Sequence, residues 1–264
     1  MDMGLKEKTA LVTGSTKGIG KAIAMELARE GVHVLINGRN DQEVERTVRE
    51  IKITFPDTSP QKATADLVDQ AQRQALFEKF PEVDILINSM GIYEIMSYED
   101  VNDEVWEKYF RINVLAANGL SQFYLPKMMK NNDGRIIFIA SEEALMPSGQ
   151  MPQYCMTKSM LLSLSKSLSK LTAGTEVTIN TILPGPTLSE NVREIIEGIY
   201  PDETLTFEEK EKDFMKSNLP QSELQRFIKP SEIGRLAAFV CSPYASAFRG
   251  SPIRMDGGMV PTIF

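Results

Sequence analysis

The stretch T-A-L-V-T-G-S-T-K-G-I-G-K-A-I-A, Thr9 to Ala24, decides the fold. A β-branched and apolar run, Thr9 to Thr13, enters it, and apolar residues at helical spacing (Ile19, Ile23, Ala24, Leu27) leave it. Between them stand Gly14, Gly18 and Gly20, the residue type used where backbone must bend tightly and approach a ligand. Strand, glycine turn and helix in that order present free N–H groups at a helix N-terminus, where phosphate binds well. The spacing is G-x-x-x-G-x-G rather than the G-x-G-x-x-G of the better-known dinucleotide fingerprint. A nucleoside-triphosphate loop, G-x-x-x-x-G-K-[ST], is excluded: Ala22 follows Lys21, so no hydroxyl is placed for magnesium.

Outward from that turn, short apolar runs alternate with amphipathic helical patterns. Strands are expected at Thr9–Thr13, Val32–Asn37, Gln61–Ala65, Ile85–Asn88, Arg135–Ala140, Val177–Leu183 and Pro252–Met255. Helices are expected near Ile19–Glu30, Asp41–Thr54, Gln70–Lys79, Asn102–Lys130, Gln150–Leu171 and Ser231–Cys241. Near-continuous apolar strands separated by helices imply a parallel sheet covered on both faces. The expected architecture is an α/β doubly wound, parallel, seven-stranded sheet (a Rossmann fold), in one domain spanning 1–264. One region breaks the rhythm. Residues 188–229 are helical and charged, with Tyr200, Phe207, Phe214 and Phe227 among the charges, and a long insertion after a strand is a candidate lid.

Composition narrows the function. The 264 residues carry a net charge of −7, and their Lys and Arg are scattered, which argues against a reader of nucleic acid backbones. No apolar run approaches a membrane span or a signal peptide, so a cytoplasmic protein with no membrane partner is expected. Cys155 and Cys241 are too few for a disulfide framework and read as packing. His33 is the only histidine and sits in an apolar strand, so no histidine triad or multi-histidine metal site is available and no metal is expected. Proton transfer near neutral pH would fall to another residue type.

Tyr154 and Lys158 offer one. In Y-C-M-T-K they are four residues apart, so phenol and ammonium share a helix face, and a nearby cation favours a phenolate. Ligands of open α/β sheets sit outside the carboxyl ends of the strands. Here those ends carry Gly14–Gly20, Asn37–Arg39, Asp66–Leu67, Asn88–Gly91 and Pro184–Thr187. The second strand ends on Asn37-Gly38-Arg39, where an NAD-binding fold places an acid. Arg39 and Lys17 suit a 2′-phosphate instead, so NADP(H) is favoured over NAD(H), although Asp41 stands nearby.

Taken in order, the glycine turn, Asp66, N-S-M-G (Asn88 to Gly91), Asn113, Ser141, Tyr154, Lys158, P-G-P-T (Pro184 to Thr187) and Asp256-Gly257-Gly258 resemble the short-chain dehydrogenases/reductases. The likeness runs along nearly the whole chain, with a 3-oxoacyl-acyl-carrier-protein-reductase-like character and no subgroup motif that names a substrate. It implies an oxidoreductase interconverting a ketone or aldehyde and an alcohol by hydride transfer. Tyr154 would be the general acid or base, Lys158 would lower its pKa, Ser141 would donate to the substrate oxygen, and Asn113 would hold a relay water. Cofactor contacts are implied for Gly14, Ser15, Thr16, Lys17, Gly18, Ile19, Gly20, Asn37, Arg39, Asp66, Leu67, Asn88, Gly91, Tyr154, Lys158, Pro184, Gly185 and Thr187. Asp66 would meet the adenine, and 188–229 would be the substrate loop. Ser89 and Met90 depart from the family's N-N-A-G element, and Met90 would narrow the pocket.

Glu142 and Glu143 follow Ser141 where the family more often has small or polar residues; most such pairs are solvated, though a carboxylate here could bind a hydroxyl or cation. Met90, Met96, Met146 and Met151, with Ile92, Tyr93 and Pro186, suggest tolerance of apolar substrates. The likeness also implies a homo-oligomer, tetramer or dimer, built on the helices after the fourth and fifth strands. Leu161, Leu164 and Leu168 fit that interface or an ordinary core. Enoyl-thioester reduction fits badly, because the family's enoyl reductases separate tyrosine from lysine by six residues. A catalytically silent nucleotide-binding scaffold is the other alternative, but such proteins usually lose the tyrosine or lysine that this chain keeps.

Overall fold

The computed structural model describes residues 2–263; Met1 and Phe264, the ends of the expected 1–264 domain, lie outside the described residues. The described residues form seven strands: β1 (Thr9–Val12), β2 (His33–Ile36), β3 (Gln61–Lys62), β4 (Ile85–Asn88), β5 (Arg135–Ile139), β6 (Thr178–Pro184) and β7 (Pro252–Met255). They pair in parallel in the order β3-β2-β1-β4-β5-β6-β7. Chain order reverses direction between β1 and β4, the position at which such sheets bind ligands.

Alternation along β1 divides the core. Ala10 and Val12 join one apolar cluster with Ile23 and Leu27, while Leu11 joins the other with Leu86, Leu120 and Phe138. Successive side chains point to opposite faces, so a four-residue strand feeds both helical layers. The helices are α1 (Gly18–Arg29), α2 (Asp41–Thr54), α3 (Gln70–Lys79), α4 (Asp103–Phe110), α5 (Ala116–Asn131), α6 (Pro152–Leu171), α7 (Glu190–Ile199), α8 (Phe207–Asn218) and α9 (Pro230–Cys241). Local chemistry starts several of them. Asn40, Asp69, Asn102 and Ser189 accept backbone N–H bonds as caps, and Thr206 with Glu209 forms a capping box on α8. Leu161 is buried in the second cluster and Leu164 and Leu168 pack against it, which is the core alternative for that stripe.

Two expectations differ in detail. The helix expected over Asn102–Lys130 starts at Asp103 with Asn102 as its cap, and is interrupted by a π-helical turn, Arg111–Leu115, between α4 and α5. Such turns carry no sequence period of their own and recur at functional sites. β3 is only two residues long, although Ala63 N–H still donates to Ile36 O and Ala65 N–H to Gly38 O beyond it.

The segment after β6 builds a small core of its own from Ile196, Met215 and Phe227, with Val192, Tyr200, Phe207 and Phe214 against it. Its two ends are tied together. Leu188 N–H donates to Ile228 O at 2.9 Å and Ile228 N–H to Pro186 O at 2.8 Å, so the excursion leaves and rejoins the sheet at one place. No helix of the described residues is long and apolar enough to cross a membrane.

Candidate active site

The turn between β1 and α1 is built for a backbone contact. Gly14 has φ +62°, and a Cβ on Gly20 would stand 2.4 Å from Gly14 O, so no side chain fits there. Behind the turn, Ser15 Oγ donates to Val12 O at 2.7 Å and accepts from Asn37 N–H at 2.9 Å. The Asn37 amide donates to Ala63 O and Ala65 O and accepts from Gly14 N–H at 3.3 Å. Thr13 Oγ1 accepts from the Ser89 and Met90 amides, both at 2.9 Å, holding the β4 end beside the glycines.

These bonds sort the expected cofactor residues into those at the cleft and those behind it. Ser15, Leu67 and Asn88 are buried behind the wall of the cleft, while Asn37 lines it and also buttresses the turn with its side chain. Asn88 reaches Ser121 Oγ at 3.4 Å, while its Oδ1 has no partner among the described residues. Ser15, Leu67 and Asn88 back neighbours that do face the cleft, a distinction that strand position alone does not carry. Gly14, Thr16, Lys17, Gly18, Ile19, Gly20, Asn37, Arg39, Asp66, Gly91, Pro184, Gly185 and Thr187 line it.

That cleft has a volume of about 1910 Å³, and runs from Lys17 and Arg39 past Ser141, Tyr154 and Lys158 to Ile195 and Leu219 on the insertion. Ligand pockets of about 300–1,000 Å³ hold drug-sized molecules, so it has room for a dinucleotide and a second molecule. The residues present fit a dinucleotide: a backbone cradle that a Cβ would fill, and two cations beside it. Lys17 and Arg39 are exposed, and neither joins an ion pair among the described residues. Asp41, the acid that complicates the charge reading, is engaged elsewhere by Lys62 Nζ and Thr64 Oγ1, each at 2.7 Å.

At the other end, α6 presents Tyr154 and Lys158. Lys158 Nζ is buried and donates to Ile139 O at 2.8 Å, and burial lowers its pKa to about 8. The Tyr154 phenol is pushed up, mainly by burial, with Glu142, Glu143 and Tyr93 adding and Ser141 pulling the other way. Burial is the largest influence on the phenol in this structure, and Lys158 lies 5.4 Å from the ring centre with its own charge disfavoured by burial. Gly91 leaves space for both partners, since a Cβ there would be 3.3 Å from Asn113 Oδ1 and 3.4 Å from Lys158 Nζ.

Asn113, on the π-helical turn, is 1% exposed and stands behind this wall. Its Oδ1 accepts from Ile92 N–H at 2.8 Å, and its Nδ2 donates to Ile92 O and Thr157 Oγ1. Both amide hydrogens are thus used, and a water could only donate to the remaining lone pair. Thr157 and Gln153, whose Nε2 donates to Glu94 O at 3.1 Å, hold the rim beside Tyr154 and were not among the expected site residues. Their place on α6 next to Tyr154 was the available signal. Tyr93 projects edge-on toward Tyr154, ring centres 6.0 Å apart.

The expectation of two solvated glutamates after Ser141 fails at the first of them. Glu142 is 8% exposed, Ser141 Oγ donates to its Oε2 at 2.5 Å, and burial pushes its carboxyl up to about 7. The short helical turn Glu142–Ala144 packs on α6 and folds the side chain inward. Glu143 points the other way, accepting from Ser148 N–H at 2.8 Å and lying 3.0 Å from Cys155 Sγ.

The short chain dehydrogenase family profile matches residues 8–199. The chain belongs to that family. Among similar proteins, the uncharacterized oxidoreductase YvaG of Bacillus subtilis (strain 168) is 46% identical over 264 residues, covering 100% of both chains. The 3-oxoacyl-[acyl-carrier-protein] reductase FabG of Rickettsia conorii is 30% identical over 256 residues, 97% of this chain and 98% of that one. The crystal structure of L-sorbose reductase from Gluconobacter frateurii, complexed with NADPH and L-sorbose, superposes with TM-score 0.92 at 29% identity, covering 100% of both chains. This short-chain dehydrogenase is therefore an oxidoreductase acting between CH–OH and carbonyl groups with a nicotinamide dinucleotide.

Proposed function

We propose that this short-chain dehydrogenase reduces ketones or aldehydes to alcohols, reversibly, with NADP(H), and that Tyr154 is its general acid and base. The observation that carries the reading is the shared wall: Ser141, Tyr154 and Lys158 line the same cleft as the glycine turn. A dihydronicotinamide dinucleotide held by the glycine turn, Lys17 and Arg39 would supply the hydride chemistry. Everything else falls to side chains. Burial keeps the phenol protonated, so Tyr154 holds a proton to give to the developing alkoxide. Ser141 Oγ–H is the second donor for that oxygen whenever Glu142 Oε2 does not hold its hydrogen. Lys158, at the base of the cleft, provides the positive charge that favours phenolate when the proton leaves.

NADP(H) is preferred because Lys17 and Arg39 stand without ion pairs among the described residues, while Asp41 is turned onto Lys62. The NADPH carried by L-sorbose reductase supports the same preference. Residues 188–229 act as the substrate lid, since Val192, Ile195, Leu219 and Phe227 line the cleft from that segment. A homo-oligomer belongs to the proposal too, supported by exposed Leu115 at the π-helical turn and Met156 and Met160 on α6; light scattering at micromolar protein tests it.

The deciding test is fluorescence titration with NADPH and NADH, then a carbonyl panel with the tighter cofactor. NADPH preference that falls about 10- to 100-fold in Arg39→Ala is expected from loss of a charge-assisted contact. Turnover should vanish in Tyr154→Phe while cofactor binding persists. NADH-favoured binding overturns the cofactor assignment, and binding of both without turnover of any carbonyl returns the scaffold alternative.

A further inference from the structure

A hydroxyl has one hydrogen, and at Ser141 two acceptors compete for it. In the structure Ser141 Oγ lies 2.5 Å from Glu142 Oε2, a donor–acceptor distance that commits the hydrogen to the shared bond. The same oxygen already accepts from Glu143 N–H at 3.3 Å, which leaves it one lone pair within reach of Glu142 and the Tyr154 phenol. If Glu142 is ionised, the serine hydrogen points at the carboxylate, and a substrate oxygen placed there meets lone pairs and a negative charge. If Glu142 is protonated, its O–H fills the remaining Ser141 lone pair, and the serine hydrogen turns outward.

We propose that Glu142 gates Ser141: as a neutral acid it donates to Ser141 Oγ and frees the serine hydrogen for the substrate oxygen, and as a carboxylate it captures that hydrogen. Glu142 is thus a positioning residue, acting through Ser141, and the inference rests on the reductase reading of the site. The step is a single proton equilibrium between Glu142 and solvent, with no change in the electron count.

The surroundings suit the neutral form. Glu142 is buried, joins no ion pair among the described residues, and has burial and the Glu143 charge raising its pKa. The other titratable groups around this part of the cleft are Tyr154, Cys155 and Lys158 on α6, Tyr93 and Glu94 after β4, and Glu190 at the start of α7. β6 brings none. Of these, Lys158 is the one with a second titration nearby, at about 8, so removal of Glu142 itself must separate the two.

The experiment is a pH series from 5.5 to 9 of NADPH-dependent carbonyl reduction in wild type, Glu142→Gln and Glu143→Gln, with thermal unfolding as a folding check. The amide that Glu142→Gln introduces can donate to Ser141 Oγ as the neutral acid does, and it cannot ionise. Wild type and Glu143→Gln should lose kcat/KM by about tenfold per pH unit above the Glu142 midpoint. Glu142→Gln should lack that limb, so that its kcat/KM at pH 8 exceeds that of wild type about tenfold. A descending limb that persists unchanged in Glu142→Gln overturns the gate, as does a Glu142→Gln rate at pH 6 as low as that of Ser141→Ala. A second arm needs no turnover. Difference infrared spectra of the protein should show a carboxylic-acid C=O band at pH 6 that fades by pH 8 and is missing in Glu142→Gln. Absence of that band in wild type sinks the gate even if the protein reduces nothing, whereas a band without turnover sinks the reductase reading alone.

Discussion

Lys158 Nζ stands 5.4 Å from the centre of the Tyr154 ring and gives a hydrogen bond to Ile139 O at 2.8 Å. The carbonyl holds the amine in place under the phenol, while burial lowers the amine's pKa to about 8. Lysine methyl resonances of the reductively 13C-methylated protein should therefore include one titrating near pH 8 and missing in Lys158→Met. The same variant should lose about 10²- to 10⁴-fold in kcat/KM, the usual range for a proton-transfer group. Were every lysine resonance to titrate above pH 9.5, the buried, desolvated account of Lys158 would be wrong.

Glu142 also makes stability depend on pH. Its pKa is raised from 4.5 to about 7 on folding, so the folded chain binds more protons between those values. The contribution is fully present below about pH 4.5 and is lost as pH rises through 7. Glu142→Gln removes the charge that burial opposes. Denaturant melts should show wild type losing about 1–3 kcal/mol relative to this variant between pH 4.5 and 8. Parallel curves for the two proteins would place the carboxylate in water.

The end of the insertion is clamped to α9. Arg226 forks onto Glu232 at 2.8 and 2.9 Å, and Lys229 N–H donates to the same carboxylate at 2.8 Å, which depresses its pKa to about 2. A depressed acid contributes stability above its unfolded pKa of about 4.5 that is lost as pH falls through 2. The pair is about one-third exposed, so screening limits Glu232→Gln to a cost of about 1 kcal/mol at pH 7. Thermal melts at pH 7 and pH 2 check this: the variant should be the less stable at pH 7 and indistinguishable at pH 2.

How much of this was legible beforehand depends on the kind of interaction. β1, the glycine turn and α1 are local: strand period, a turn that admits no Cβ at Gly20, and helical spacing lie within one stretch of chain. The parallel sheet followed from the alternation of strand and helix. Glu142 was misread because its burial comes from packing of its turn on α6, a contact between segments that neither segment announces. Asn88 and Ser15 illustrate the same limit, since a strand's carboxyl end brings residues to the cleft but does not say which face it and which brace it. The π-helical turn around Asn113 is invisible to a helical period that continues on both sides.

Phe227 joins the insertion to the cleft. It is 5% exposed, packs against Phe214 with ring centres 5.7 Å apart, and also lines the cleft wall. Its cluster with Ile196 and Met215 is separate from the two sheet cores, so truncation should loosen the insertion before it loosens the sheet. A buried Phe→Ala change costs about 3–5 kcal/mol, more than a core of this size can spare. Phe227→Ala should therefore become sensitive to proteolysis between 190 and 226 while the far-ultraviolet spectrum of the whole is kept. KM for a carbonyl substrate should rise about tenfold, with NADPH affinity changed less than threefold, because the glycine turn, Lys17 and Arg39 lie at the opposite end of the cleft. Equal losses in substrate and cofactor affinity would mean that the insertion supports the dinucleotide end as well, and the separation of lid from cradle would fall.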